Sequence, residues 1–594
     1  MARRTKDADE KRTHSASKAG GEERARWKRA LFYAAIPLAW VLLPLALEGT
    51  LVLVGYGDDA RLFDTFDPGL TTDNPEYVGR FYSFRDPGDG VQRSNLFLEQ
   101  KEASRLRVFV VGGSTAQGFP FQRNHSFTAV TQSALRSLGM DIEILNLGNS
   151  AMTSYYLREV LPELPRYRPD LVVVYAGHNE YYGTPSTFTG GTHALRLLLL
   201  RLKTFRSVQL VEALIHRAIA GDGSGPDTTL MERRFASALF PLDSARDQRV
   251  AHRFVRNLEA GLSPLIEDGV PVLVFEPVSN LVSMPPFRSV AARPRAGADG
   301  LAEGERGGAL DLYRELQADL RTGEWDLAGW ERVKDMDGAP FRARSALIGE
   351  LEDYVQSQPG LAWIPTAAEL ERRIGYRAFG DEYFIDHLHF NFDGQILLAS
   401  ILAEAILDRF STEEAKLRTE LARYLEDPRR IKEDVFLTEV WEFTAYGRIY
   451  GMLEREPFLS MPSVMTAPAL PSSVMASSLF ETGAFVDSLR DASLDDVFYL
   501  ALDQYRLSGD RDGWIRNMNA YIHLFPGNYR THLAYGLALL DDDPQRYMGP
   551  AASYFRRAYV LSGKGPEVPD LLRSEFTERG MAGAWDAFRS EYLN

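Results

Sequence analysis

Four short segments of the chain hold residue types suited to covalent chemistry. In VVGGSTAQG, Ser114 follows two glycines. A serine at a strand-to-helix turn offers its hydroxyl at the edge of a sheet, and Gly112 and Gly113 allow a tight turn and a close approach by substrate. The segment is not G-x-S-x-G, because Ala116 fills the last position, and a phosphate-cradling glycine turn competes with the nucleophile reading. In NLGNSAMTS, backbone N–H groups near Gly148 and Ala151 could face the same crevice. In YAGHNEYYG, Asn179 can offer a side-chain N–H₂. Fixed donors of this kind, aimed at a developing oxyanion, are worth ~3 kcal/mol each in the transition state. In IDHLHFNFDG, Asp386 and His389 stand three residues apart, close enough to meet within one turn of chain. A carboxylate there would fix the imidazole tautomer, and the imidazole would take the serine proton.

The elements around these segments are those of a parallel sheet. Short apolar runs at 107–111, 141–147, 171–176, 270–276 and 361–365 alternate with helical spacing, as at 126–138 and 393–410, where Asp393 is a candidate N-cap. Continuous apolar strands separated by helices predict an α/β domain with both sheet faces covered. Ligands in such folds bind at the carboxyl ends of the strands, where all four segments fall. Asp386, His387 and His389 are the rival reading as metal ligands, but histidines two apart cannot share a helix face and no second cluster matches them. No metal or organic cofactor is expected.

Taken together and in order, the segments resemble the SGNH (GDSL-type) hydrolase family over about residues 106–410, roughly half the chain. The resemblance implies a flavodoxin-like α/β domain in which Ser114 is the nucleophile, Asp386 and His389 are orienter and base, and Asn179, the second residue after Gly177, is an oxyanion donor. Departures are visible. Gly113 stands where the family has an aspartate, Glu180 replaces the aspartate of G-x-N-D, and Ala151 stands where the family's second block has a glycine. Alanine keeps the needed N–H and is relaxed there if φ is negative, but strained if φ is positive.

The 594 residues contain no cysteine, 45% hydrophobic and 25% charged residues, and a net charge of −15. These values exclude disordered, disulfide-stapled and iron–sulfur classes and argue against a nucleic-acid partner. The charge is uneven, with ten basic and five acidic residues in 1–29. Residues 30–47 then carry no charge, Glu48 interrupts, and an apolar run continues to 57. This predicts a basic cytoplasmic tail (1–29) and a transmembrane anchor (30–56), with a cleaved signal peptide and a buried core helix as the competing readings. The body would then lie outside the cytoplasm, periplasmic if the cell is bacterial, on the inner membrane.

After a lead-in at 57–105, the hydrolase-like domain holds insertions at 180–268 and 286–346. The first contains ALRLLLLRLKTF (194–205), which reads as a helix buried on several sides, or alternatively as a lid or membrane-surface helix. The second holds an Arg/Gly-rich loop. KDMDGAPFRA (334–343) and Tyr181-Tyr182 are either pocket lining or ordinary structure. A helical segment and linker (411–485) lead to 486–594, where Ala551, Phe555 and Ala558 resemble the second-helix pattern of tetratricopeptide repeats. The resemblance implies an all-α repeat-like domain with a possible protein partner. The expected function is an anchored serine esterase acting on acylated envelope or polysaccharide substrates. The alternatives are an O-acyltransferase using the same residues and a non-catalytic scaffold with a relict fold.

Overall fold

The computed structural model describes residues 33, 40, 42–82, 93–185, 192–220, 231, 239–289, 308–375, 379–459, 461, 467–480, 488–489 and 493–593. It divides into a larger unit, Arg61–His193 with Pro226–Asn594, and a smaller one, Met1–Ala60 with Ala194–Gly225.

In the larger unit an antiparallel trio comes first: β1 (Phe63–Phe66), β2 (Leu70–Asp73) and β3 (Leu96–Leu98). The parallel sheet follows: β4 (Leu106–Gly112), β5 (Ile142–Asn146), β6 (Leu171–Tyr175), β7 (Val272–Phe275) and β8 (Leu361–Ile364). Its order is β5-β4-β6-β7-β8, so the chain steps outward from β4 to β5 and then reverses across β4 to β6. That reversal is a topological switch point, where a crevice opens beyond the strand ends. Strands β4 and β6 are in register from Val108–Leu171 to Gly112–Tyr175. Val108, Val110, Val172 and Val173 are fully buried, as two-sided helix cover requires.

Helix Phe392–Phe410 lies against helix Phe127–Ser137, and the Gln395 Oε1 accepts the Phe127 N–H at 2.9 Å. Its N-cap is Asn391, whose side chain accepts from the Gly394 N–H, and not Asp393 as the sequence pointed to. The helix starts earlier because Asn391 directly follows the Phe384–Phe390 bridge. In the first insertion, helix Ser244–Glu267 packs on helix Ser154–Val160, with Asn257 Nδ2 donating to Ser154 Oγ at 3.0 Å. The Arg/Gly-rich loop of the second insertion lies outside the described residues.

The apolar core runs from the sheet without a break into the C-terminal helices. One cluster joins Val110 and Val173 to Leu402, Trp441, Phe498, Tyr521 and Ala538. A second cluster closes the chain end around Phe555, Phe576 and Trp585. Ala551, Phe555 and Ala558 are fully buried in it.

The smaller unit contains a helix at 42–53 and the helices His193–Leu202, which starts at the unit's edge, and Arg206–Ala220. The first of the Leu-rich pair is not buried on several sides, as the sequence suggested. Arg196 and Leu200 are covered, while Leu195, Leu198, Leu199 and Leu202 are exposed, because this unit is too small to enclose them. Among the described residues no helix is long and apolar enough to cross a membrane. The predicted basic tail, and residues 30–41 of the predicted anchor apart from Tyr33 and Trp40, lie outside the described residues.

Candidate active site

Ser114 opens the short helix Ser114–Gln117 immediately beyond β4, at the switch point. Gly112 is required there, since a Cβ on it would stand 2.0 Å from the Tyr175 carbonyl oxygen of the neighbouring strand. The helix is closed at Gly118, whose positive φ of 93° returns its N–H to the Ser114 and Thr115 carbonyls. The serine is held at the mouth of the sheet with only 9% of its surface exposed.

The acid and the base come from the loop before the last sheet-covering helix. The Ile385 N–H donates to the His389 carbonyl at 2.8 Å, and Phe384 and Phe390 pair across the loop with stacked rings 4.5 Å apart. This pinch brings Asp386 onto His389. Asp386 Oδ2 lies 2.6 Å from His389 Nδ1, and Asp386 Oδ1 accepts the N–H groups of Leu388 and His389, both at 2.8 Å. On its other side His389 Nε2 lies 2.7 Å from Ser114 Oγ. The three residues, 275 positions apart at the extremes, form one hydrogen-bonded line. Burial alone would raise the Asp386 pKa, but the His389 and His387 imidazoles beside it reverse this and hold it well below the usual carboxylate range. An ionised carboxylate keeps the Nδ1 proton on the imidazole and leaves Nε2 free to accept the serine proton.

The expected oxyanion donors fare differently. The Asn179 Nδ2 lies 2.7 Å from where a Cβ on Gly113 would sit, next to the serine, so a glycine must precede Ser114 for this amide to approach. Gly177, with φ 141°, makes the turn that carries Asn179 off β6. Ala151 has φ +60°, the strained alternative, and is held there by the Thr184 N–H donating to its carbonyl at 2.7 Å. The left-handed region costs a non-glycine residue ~1–2 kcal/mol. The amides of Ser114 and Ala151 have no hydrogen-bond acceptor among the described residues. Gly148 is a correction. Its N–H donates to Asn146 Oδ1 at 2.8 Å and is unavailable as a donor, and its role is contact, since a Cβ would meet Gln117 N at 2.2 Å.

Glu180 does not reach the serine. Its carboxylate accepts the Ser154 N–H at 2.6 Å and the Ser154 hydroxyl at 3.0 Å at the start of helix Ser154–Val160. Burial pushes its pKa up to about 7. Segment 334–343 is structural bracing. Asp337 accepts the N–H groups of Phe287, Arg288 and Ala339 and pairs with the buried Arg342, which donates to the Asn280 carbonyl at 3.0 Å. Asn280 in turn holds the acid loop, donating from Nδ2 to the Asp386 carbonyl, while its own N–H donates to the His387 carbonyl. The pair Asp337–Arg342 is local, but what it holds is not, since Phe287 and Asn280 lie 50 and 62 positions away. His178, between Gly177 and Asn179, is also buried. Its Nδ1 accepts the Ala343 N–H, its Nε2 has no partner among the described residues, and burial lowers its pKa to about 3.

Asp386, His387 and His389 each offer a ligand atom within 4.8 Å of the others. Both nitrogens of His389 are, however, already engaged by Asp386 and Ser114. His387 is packed among Phe287, Phe341 and Phe458 and kept neutral by burial. A metal would have to break the line that reaches the serine.

No protein-family profile matches the chain, and no curated relative does. Among solved structures, it is similar to an acetyl xylan esterase, AlAXEase, at 14% identity, covering 51% of this chain and 100% of that one with a TM-score of 0.22. It is also similar to a mutant of Axe2, an acetyl-xylooligosaccharide esterase from Geobacillus, at 11% identity over 53% and 98% of the two chains with a TM-score of 0.25. A third is LAE5, an alpha/beta hydrolase enzyme from the metagenome of Lake Arreo, Spain, at 10% identity over 52% and 96% with a TM-score of 0.22. Identities and scores of this size leave the functional reading to the geometry of the site.

Proposed function

We propose that this chain is a membrane-anchored serine esterase of the SGNH type, acting outside the cytoplasm on acylated envelope or polysaccharide substrates. One observation carries the reading: the line from Asp386 through His389 to Ser114, at contacts of 2.6 and 2.7 Å, beside the switch point of a parallel sheet. In this reading Ser114 Oγ attacks the acyl carbonyl as His389 Nε2 takes its proton. The oxyanion is held by the Asn179 side chain and the amides of Ser114 and Ala151. His389 then protonates the leaving alcohol, and water, deprotonated by the same imidazole, releases the acid and restores the serine. Asp386 stabilises the imidazolium throughout. The basic tail and the charge-free run at 30–47 support anchoring, and the C-terminal helical region is read as a surface for a protein partner.

A fluorophosphonate probe tests the chemistry. Wild-type protein should label stoichiometrically, and Ser114→Ala should not label at all. Folded wild-type protein that stays unlabelled would leave an anchored scaffold instead. With an acylated oligosaccharide as donor, free acid as the product indicates hydrolysis, and acyl groups moved to an added sugar indicate transfer.

A further inference from the structure

The smaller unit leaves a large apolar surface exposed. Helix 42–53 exposes Leu42, Leu43, Leu45, Leu47, Val52 and Leu53, the last at 87%. The Leu-rich pair adds Leu198, Leu199, Phe205, Val211, Leu214 and Ile215, all exposed. Most of the large apolar side chains left exposed on the described residues fall in this one unit. Scattered exposed leucines need no explanation, but a cluster of this size marks a surface that something covers.

Several polar groups of the unit satisfy one another between its helices. Glu48, the acid that interrupts the apolar run, places its carboxylate on the start of helix Arg206–Ala220. It accepts the N–H groups of Arg206 and Ser207, both at 2.8 Å, and the Ser207 hydroxyl at 2.7 Å. These are N–H groups that the helix itself cannot satisfy. Arg206 reaches Asp59 at 2.6 Å and the Tyr56 carbonyl at 2.9 Å, Gln209 accepts the Asp58 N–H, and Lys203 pairs with Glu212 at 2.8 Å. An ionised carboxylate left alone in hydrocarbon costs at least ~2.5 kcal/mol, so this engagement is what an acid at membrane depth needs.

We propose that helices His193–Leu202 and Arg206–Ala220 lie in the outer leaflet of the membrane beside the 42–53 helix, pinned to it by Glu48, so that the occupant of this apolar surface is lipid. The inference rests on the anchoring part of the reading above and not on the chemistry of Ser114. Lipid is favoured because the surface continues the charge-free stretch 30–47 and because the two helices combine an apolar face with Arg201 and Arg217.

The absence of cysteine makes the test direct. Single-cysteine full-length variants Leu43→Cys, Leu199→Cys, Leu214→Cys and Leu571→Cys would carry an environment-sensitive fluorophore in vesicles of phosphatidylethanolamine and phosphatidylglycerol containing brominated lipid. Positions 43, 199 and 214 should be quenched several-fold more than 571. Quenching at 43 alone, with 199 and 214 reacting with aqueous maleimide as fast as 571, overturns the inference and leaves the anchor standing. Protection of 199 and 214 from both lipid quencher and maleimide, with cross-linking between copies, overturns it in favour of a protein–protein surface. Fluorophosphonate labelling of the same variants reports separately on Ser114.

Discussion

At the scale of single residues, Asn179 and Ala151 carry the sharpest expectations. Asn179 offers a side-chain donor beside the serine, while its backbone carbonyl separately accepts the Gly183 N–H at 2.7 Å. Asn179→Ala removes only the side chain, so turnover should fall ~100-fold or more with little change in KM or unfolding midpoint. An unchanged turnover number would take Asn179 out of the proposed mechanism. Ala151 holds φ +60°. An ordinary alanine-to-glycine change costs ~0.5–1 kcal/mol through backbone entropy. At this position relief of strain offsets that cost, so Ala151→Gly should leave denaturant stability unchanged or raise it by ~1 kcal/mol, with activity retained. A loss of stability of the ordinary size would show that no strain is stored there. Strained residues held by their surroundings gather at functional sites, and Thr184 supplies the hold here.

At the scale of elements, Glu180 couples the loop after β6 to helix Ser154–Val160. Its pKa is raised from 4.5 to about 7, chiefly by burial. A raised acid binds its proton more tightly when folded. The stability tied to it is fully present below about pH 4.5 and fades as the pH rises through about 7. Glu180→Gln keeps an acceptor for the Ser154 N–H and should remove up to ~3 kcal/mol of this slope, read by chemical unfolding between those pH values. A wild-type slope that survives in the variant would assign it to other groups. The elements also show which parts of the fold were legible in sequence. The five parallel strands were, because a two-sided sheet writes itself as unbroken apolar runs. So was the meeting of Ser114, Asp386 and His389, because each falls at a strand end or in a tight loop. The Leu-rich helix at 193–202 was not, because leucines on all sides look alike whether protein or something else surrounds them. The Asp337–Arg342–Asn280 brace was not, because Asp337 and Arg342, five residues apart, take partners 50 and 62 positions away that no local pattern indicates. Gly148 was misread because its position in the loop suggested a free amide, whereas the Asn146 side chain two residues earlier takes it.

At the scale of the whole molecule, the α/β half and the C-terminal helices share one apolar core. Burying one Leu, Val or Phe side chain contributes ~1.5–3 kcal/mol, against a total stability of ~5–15 kcal/mol. A chain ended after Phe410 strips that core of Trp441, Ile449, Phe498 and Tyr521 together. It should be insoluble, or soluble without a cooperative unfolding transition, where the full chain gives one. A well-folded, fluorophosphonate-reactive fragment would show instead that the α/β part stands alone.

The turn Arg123–His125, a few residues beyond Ser114, is tied to the far end of the chain by reciprocal bonds. Asn124 Nδ2 donates to the His523 carbonyl at 2.7 Å, His523 Nε2 meets the Asn124 carbonyl at 3.0 Å, and the Gly527 N–H donates to the Arg93 carbonyl at 3.1 Å. Translation therefore delivers the Ser114 neighbourhood about four hundred residues before His523 exists. A nascent chain stalled short of His523 leaves the Asn124 side chain and carbonyl without these bonds, so this turn gains its full set of partners only after the helix Arg511–Leu524 has been made.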